Sequence, residues 1–139
     1  MTTILADAKL GVMISDSCFN DGDRVYTGRK VFRVREGLLG FAGLRDEFMR
    51  VLAWWKDGRT GAPPKFNGGM LLLCDEGLFE FDTPVVPIKM ESGRAAIGSG
   101  GKGAICAYEA MGFEDPARAV AIACRHDHAS RAPVRTYRL

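Results

Sequence analysis

The segment Lys30-Val31-Phe32-Arg33-Val34-Arg35-Glu36-Gly37-Leu38-Leu39-Gly40-Phe41-Ala42-Gly43 decides the architecture. After Lys30 and Val31, apolar and charged residues alternate from Phe32 to Arg35, the period of a strand with one buried face, and Glu36-Gly37 turns that strand into the apolar run 38–43. A β-hairpin follows. Immediately after it, Leu44, Phe48, Val51, Leu52 and Trp55 fall at helical spacing. Asp46 and Glu47 occupy the first turn, where the helix dipole favours acids, and Gly58 is a stop signal. One amphipathic helix is expected over about residues 44–57.

Upstream, Thr2 to Ala6 and Gly11 to Asp16 are short β-branched and aliphatic runs joined by Asp7-Ala8-Lys9, a first hairpin. Asn20-Asp21-Gly22-Asp23 reads as a polar loop. Downstream, residues 59–69 with Pro63-Pro64 form a connecting loop. Met70 to Cys74 and Leu78 to Phe81 flank Asp75-Glu76-Gly77 as a third hairpin, and Ala95 to Gly98 reads as a short strand. Two helices come next. The first runs from about Gly101 to Met111, with Ala104, Ala107, Tyr108 and Met111 on one face. The second opens at Asp115-Pro116, an N-cap followed by Pro at the first helical position, and carries Ala117, Val120, Ala121 and Cys124 as its stripe. Val134 to Leu139 reads as a final strand. This order suits an α+β fold, two antiparallel sheets packed face to face between helices in four layers, αββα, as a single domain over 1–139.

Composition narrows the function. Of 139 residues 47% are hydrophobic and 26% charged, with 19 basic and 17 acidic side chains mixed along the chain for a net charge of +2. No like-charge run exists to attract nucleic acid or an anionic membrane. The first residues lack the basic start and apolar stretch of a signal peptide, and no apolar run approaches the ~20 residues needed to span a bilayer. The four cysteines are dispersed, with no CxxC pair, as expected of reduced thiols in a cytoplasmic protein. His126 and His128 flank Asp127 on an extended segment, a poor chelate, so neither metal nor cofactor is expected. Gly98-Ser99-Gly100-Gly101-Lys102-Gly103 lacks the spacing of a phosphate-binding loop.

One residue offers chemistry by its position alone, Thr2. A terminal threonine is a good nucleophile when its own amine, with a pKa near 8, takes the hydroxyl proton. Thr2 meets that condition once Met1 is removed, and a residue as small as Thr permits the removal. Asp16 and Lys30, taken alone, read as a surface ion pair. Asp127 and Ser130, taken alone, read as a turn cap.

The ordered series MTTI, ISDS, GRKVFRV, FAG before a helix, IGSGG opening a helix, and DxxS before the last strand resembles proteasome β subunits and the bacterial HslV peptidase over essentially the whole chain. It looks closest to the short proteasome-related proteins of proteobacteria and their phages. That resemblance implies an N-terminal-nucleophile hydrolase. Thr2 would be the nucleophile, Lys30 would depress its pKa, Asp16 would orient Lys30, and Ser99, Asp127 and Ser130 would flank the amine. Gly43 would donate its backbone N–H to the oxyanion, a turn glycine being the competing explanation, and Phe41 would partly fill the first specificity pocket. Lys30→Ala is expected to abolish turnover with the fold largely intact. The implied substrate is a peptide or unfolded protein, and the implied assembly is a homo-oligomeric ring, with an unfoldase partner conceivable. The alternative is a catalytically inactive scaffold subunit of the same fold. Two departures stand out: residues 59–69 replace the family's second helix, and Arg131 stands where the family usually has glycine. Trp54 and Trp55 are adjacent on one helix, about 100° apart, so one of them is expected to be exposed and near a subunit contact.

Overall fold

The computed structural model describes residues 2–139. Strand β1 (Ile4–Asp7) and strand β2 (Val12–Ser15) form the first hairpin. A second, small hairpin follows from β3 (Cys18–Asp21) and β4 (Arg24–Thr27). Strands β5 (Val31–Arg33) and β6 (Gly37–Gly43) lead into helix α1 (Arg45–Lys56). Next come β7 (Gly68–Cys74), β8 (Gly77–Thr83), β9 (Val86–Lys89) and β10 (Arg94–Ile97). Helices α2 (Gly101–Ala110) and α3 (Pro116–His126) and strand β11 (Arg135–Arg138) complete the chain.

The strands form an antiparallel four-stranded sheet in the order β10-β1-β2-β11 and an antiparallel five-stranded meander β5-β6-β7-β8-β9, with β3-β4 apart from both. Alternate residues of the strands serve different layers. Ile4, Ala6 and Met13 meet Leu38, Leu71 and Leu73 between the sheets. Leu5, Val12 and Ile14 face α2 and α3 through Ala104, Tyr108, Val120 and Ala123. Leu39, Phe41 and Leu72 face Phe48, Val51, Leu52 and Trp55 of α1. The expected αββα arrangement is therefore present, and burial on both faces explains why runs such as Leu71-Leu72-Leu73 lack polar interruptions. Each large side chain so buried contributes roughly 1.5–3 kcal/mol as an upper estimate.

Two expectations need correction. The segment 20–23 is not a loop but the turn of the β3-β4 hairpin, with Gly22 at φ 55°. Its strands are short, and β4 is exposed throughout, so no buried face marks them in the sequence. Strand β9, for which no expectation was set, carries Pro87 and lies at the edge of its sheet, where strands tolerate proline. In α3 the buried stripe is Ala119, Val120 and Ala123, whereas Ala121 is exposed. Alanines surround the helix and leave its phase undetermined by hydrophobicity alone. The cap is as expected: the Arg118 N–H donates to the Asp115 side chain at 3.0 Å, with Pro116 next in the first turn.

Candidate active site

Strand pairing builds one end of the site. Ile4 lies opposite Ser15 on one side and Ile97 on the other, so the segment Thr2-Thr3 runs between Asp16 and the Gly98-Ser99-Gly100 turn. The Asp16 N–H donates to the Thr3 carbonyl at 3.0 Å, and the Gly100 N–H to the Thr2 carbonyl at 3.3 Å. Glycine is required here by close approach. A Cβ on Gly98, whose φ is 90°, would lie 2.0 Å from the Thr2 carbonyl oxygen, and one on Gly100 would lie 1.9 Å from Thr3 Oγ1.

On one flank of this segment stands a buried ion pair. Lys30 Nζ is 2.9 and 3.0 Å from the two carboxylate oxygens of Asp16, and both side chains are wholly buried. The same carboxylate accepts the backbone N–H groups of Thr3 at 2.9 Å, Cys18 at 3.0 Å and Arg131 at 3.3 Å. Lys30 also lies 4.9 Å from the centre of the Phe19 ring. Burial lowers the pKa of its ammonium below the usual lysine value, and Asp16 opposes that shift without cancelling it. Burial, with help from Asp16 and Asp127, pushes the nearby Cys124 thiol up to about 11, which keeps it neutral.

These facts exclude the surface-pair reading. They also correct the expectation that Lys30→Ala would spare the fold, because the substitution leaves a buried carboxylate without its cation.

A hydroxyl chain occupies the opposite flank. Asp127 Oδ2 accepts from Ser99 Oγ at 2.7 Å and from Ser130 Oγ at 2.5 Å. Ser130 Oγ lies 2.7 Å from Thr3 Oγ1. Since the single Ser130 proton goes to the carboxylate, Thr3 is the donor in that contact. Burial alone would raise the Asp127 pKa, but the hydrogen bonds from Ser130 and Ser99 outweigh it and hold the carboxyl below its ordinary value. Asp127 caps the C-terminus of α3, so the turn-cap reading and the site reading apply to the same residue.

The structure thus brings Thr2, Asp16, Lys30, Ser99, Asp127 and Ser130 together. Thr2 itself is 2% exposed. Arg131 is exposed and contributes its backbone N–H to Asp16. Gly43, at the exposed end of β6, borders a cleft of about 650 Å³ formed with Phe19, Asn20, Asp21 and Tyr26 of the small hairpin and with Leu44, Arg45, Asp46 and Met49 of α1 and its approach.

Phe41 does not line this cleft. Its ring is wholly buried, stacked on Phe48 with centroids 3.9 Å apart, and the aromatic residues that reach the cleft are Phe19, 6.3 Å from Phe41, and Tyr26. The expected pocket residue is therefore a core residue, because alternation along β6 turns position 41 towards α1. Sequence reading missed Phe19, whose strand was not anticipated, and Thr3, whose hydroxyl joins the two flanks. Among the described residues no cluster of three or more His, Cys, Asp or Glu could hold a metal ion, and no helix is long and apolar enough to cross a membrane.

The fold is that of the HslV-like, proteasome β-type proteins. HslV from Trypanosoma brucei superposes with a TM-score of 0.76 at 22% identity, covering 98% of each chain. BPH of Thiobacillus denitrificans, in complex with epoxomicin, gives 0.76 at 16% identity over 98% of this chain and 97% of that one; a second BPH structure gives 0.74 at 15% over 99% and 96%. The chain matches no protein-family model and no curated protein sequence.

Proposed function

We propose that the chain is an N-terminal-threonine peptidase, formed when removal of Met1 converts the Thr2 amide nitrogen into a free amine. The observation that carries this reading is the buried Asp16–Lys30 pair, anchored on the Thr3 N–H immediately beside Thr2. Burying an ion pair is costly and is commonly no better for stability than an apolar pair, so a chemical role accounts for it where packing does not. The Lys30 cation lowers the pKa of the Thr2 hydroxyl. The Thr2 amine takes the hydroxyl proton while Oγ1 attacks the substrate carbonyl, and the Gly43 N–H stabilises the oxyanion. The C–N bond then breaks, the proton passes to the departing amine, and water hydrolyses the acyl ester to restore Thr2.

Asp127, Ser99 and Ser130 keep the segment placed. The substrate is a peptide or unfolded protein whose side chain enters the cleft between Phe19 and Met49. Confinement of such a site in a homo-oligomeric ring in the cytoplasm accords with the fold of its HslV and BPH neighbours. Hydrolysis of a fluorogenic peptide library tests the activity: turnover by the processed chain, absent from Thr2→Ala, is expected. A folded, processed chain that cleaves nothing would favour the scaffold reading.

A further inference from the structure

At the far end of the five-stranded sheet, the turn after β5 meets the C-terminus of α1 around a hollow of about 420 Å³, lined by Arg33, Arg35, Glu36, Trp55, Lys56 and Arg59 among others. Four cations and one carboxylate leave three net positive charges here, more than the +2 of the entire chain. The rest of the protein is therefore net negative. The sole lining carboxylate is already engaged. Glu36 accepts the Trp55 indole N–H at 3.0 Å and pairs with Arg59 at 3.6 Å. The adjacent Asp57 takes the Thr60 hydroxyl at 3.0 Å and does not line the hollow.

Arg59 is held in place at a cost. Its φ is 62°, a left-handed conformation unusual for a bulky residue, and the Arg59 N–H donates to the Trp54 carbonyl at 2.9 Å. That backbone sets the guanidinium over the Trp55 ring, 4.9 Å from its centre. Glu36 contacts one of its nitrogens, so further N–H donors remain. Arg33 is likewise fixed, donating to the Arg138 carbonyl at 2.6 Å. Arg35 and Lys56 have no carboxylate within ion-pair distance among the described residues. The helix dipole accounts for Lys56 at the end of α1, but not for two arginines arriving from the sheet.

From this arrangement we infer an anion-binding site for a polyphosphate-class ligand, with Arg35, Lys56 and Arg59 as its donors. Tetrahedral phosphoryl groups present oxygens in several directions and can meet donors on three walls at once, whereas a carboxylate offers two oxygens in one plane. Because Trp55 is buried beneath Arg59, no ring face is open to stack a nucleobase.

The test is titration calorimetry of the full chain with inorganic tripolyphosphate at fixed ionic strength. One ligand per chain is expected, weakened about ten-fold or more by Arg35→Ala and by Lys56→Ala, each checked for native circular dichroism. Arg59→Gln supplies a third variant, and Lys102→Ala on α2, a distant cation, should bind as the parent does. No saturable binding, equal affinity in all variants, or equal affinity for a triglutamate peptide would overturn the assignment. Peptidase activity is not part of the readout, so the inference stands or falls independently of the function proposed above.

Discussion

Thr3 Oγ1 and Ser130 Oγ stand 2.7 Å apart, although 127 positions separate them in the sequence, and this contact joins the two polar flanks of the site. From Lys30 through Asp16 to the Thr3 N–H, and from the Thr3 hydroxyl through Ser130 to Asp127 and Ser99, the groups form one connected path. Thr3 acts as the hinge pin that sets where Thr2 lies. Ser130→Ala should therefore cost about 1–2 kcal/mol of stability, through the loss of a buried and a part-buried hydrogen bond, and reduce turnover more than Ser99→Ala, since Ser99 is exposed and its side chain hydrogen-bonds Asp127 alone among the described residues. Urea unfolding and peptide-hydrolysis rates on both variants check the order.

Lys30→Ala should destabilise the fold by about 3–5 kcal/mol, because it strands the Asp16 carboxylate in the interior. The double variant Asp16→Asn/Lys30→Met removes both charges while the Asn oxygen can still accept the Thr3 N–H. It should recover much of that stability and remain inactive. Chemical denaturation separates the cases, and a double variant with parental activity would assign the pair a structural role alone.

Gly100→Ala places a methyl group against Thr3 Oγ1. It should cost about 1–3 kcal/mol by overpacking. Adding Thr3→Ala removes the obstructing oxygen and should restore part of the loss, although it breaks the bridge to Ser130. Thermal unfolding of the single and double variants reads this coupling directly.

The acid limb of stability should contain a contribution from Asp127. Its folded-state pKa lies below the ordinary carboxylate value, so the contribution is complete above the unfolded-state pKa and is lost as pH falls through the folded-state value. Asp127→Asn should flatten this part of the stability profile. Lys30 has the same proton balance: its pKa too is lowered in the folded state, so the unfolded chain again binds more protons and stability rises with pH between the folded and the unfolded value. Equilibrium unfolding across pH, parent against Asp127→Asn, tests the first statement.

Much of this was legible in the sequence, and the limits have physical causes. The first hairpin put Asp16 beside the start of β1, because two short apolar runs around a polar turn leave few registers. Helix α1 was readable from its four buried residues and first-turn acids. The family series located Lys30, Ser99, Asp127 and Ser130; the Ser99–Asp127 contact alone spans 28 positions, which local periodicity could not have assembled. Hairpin β3-β4 was illegible because it has little buried face. Phe41 was assigned to the pocket although β6 is buried along most of its length, so alternation does not distinguish a face towards substrate from one towards α1.

Assembly is testable through the adjacent tryptophans. Trp55 is buried, whereas Trp54 is half-buried beside an apolar hollow containing Phe79, Val85 and Pro87. The proposed ring should place Trp54 at or near a subunit contact, so Trp54→Ala should weaken assembly while leaving the subunit folded. Light scattering and fluorescence at micromolar protein check this, and a monomer with parental unfolding behaviour would remove Trp54 from any interface.

The central claim, a free Thr2 acting as nucleophile, is tested most directly by intact-mass spectrometry of the purified chain after exposure to a peptide epoxyketone. Such a reagent captures an amine and a hydroxyl on adjacent carbons together: the hydroxyl adds to the ketone and the amine opens the epoxide, with no atoms lost. The predicted result is a chain lacking Met1 that gains one inhibitor mass, with no gain in Thr2→Ala. A chain that keeps Met1, or one that loses it and gains no mass, would contradict the account.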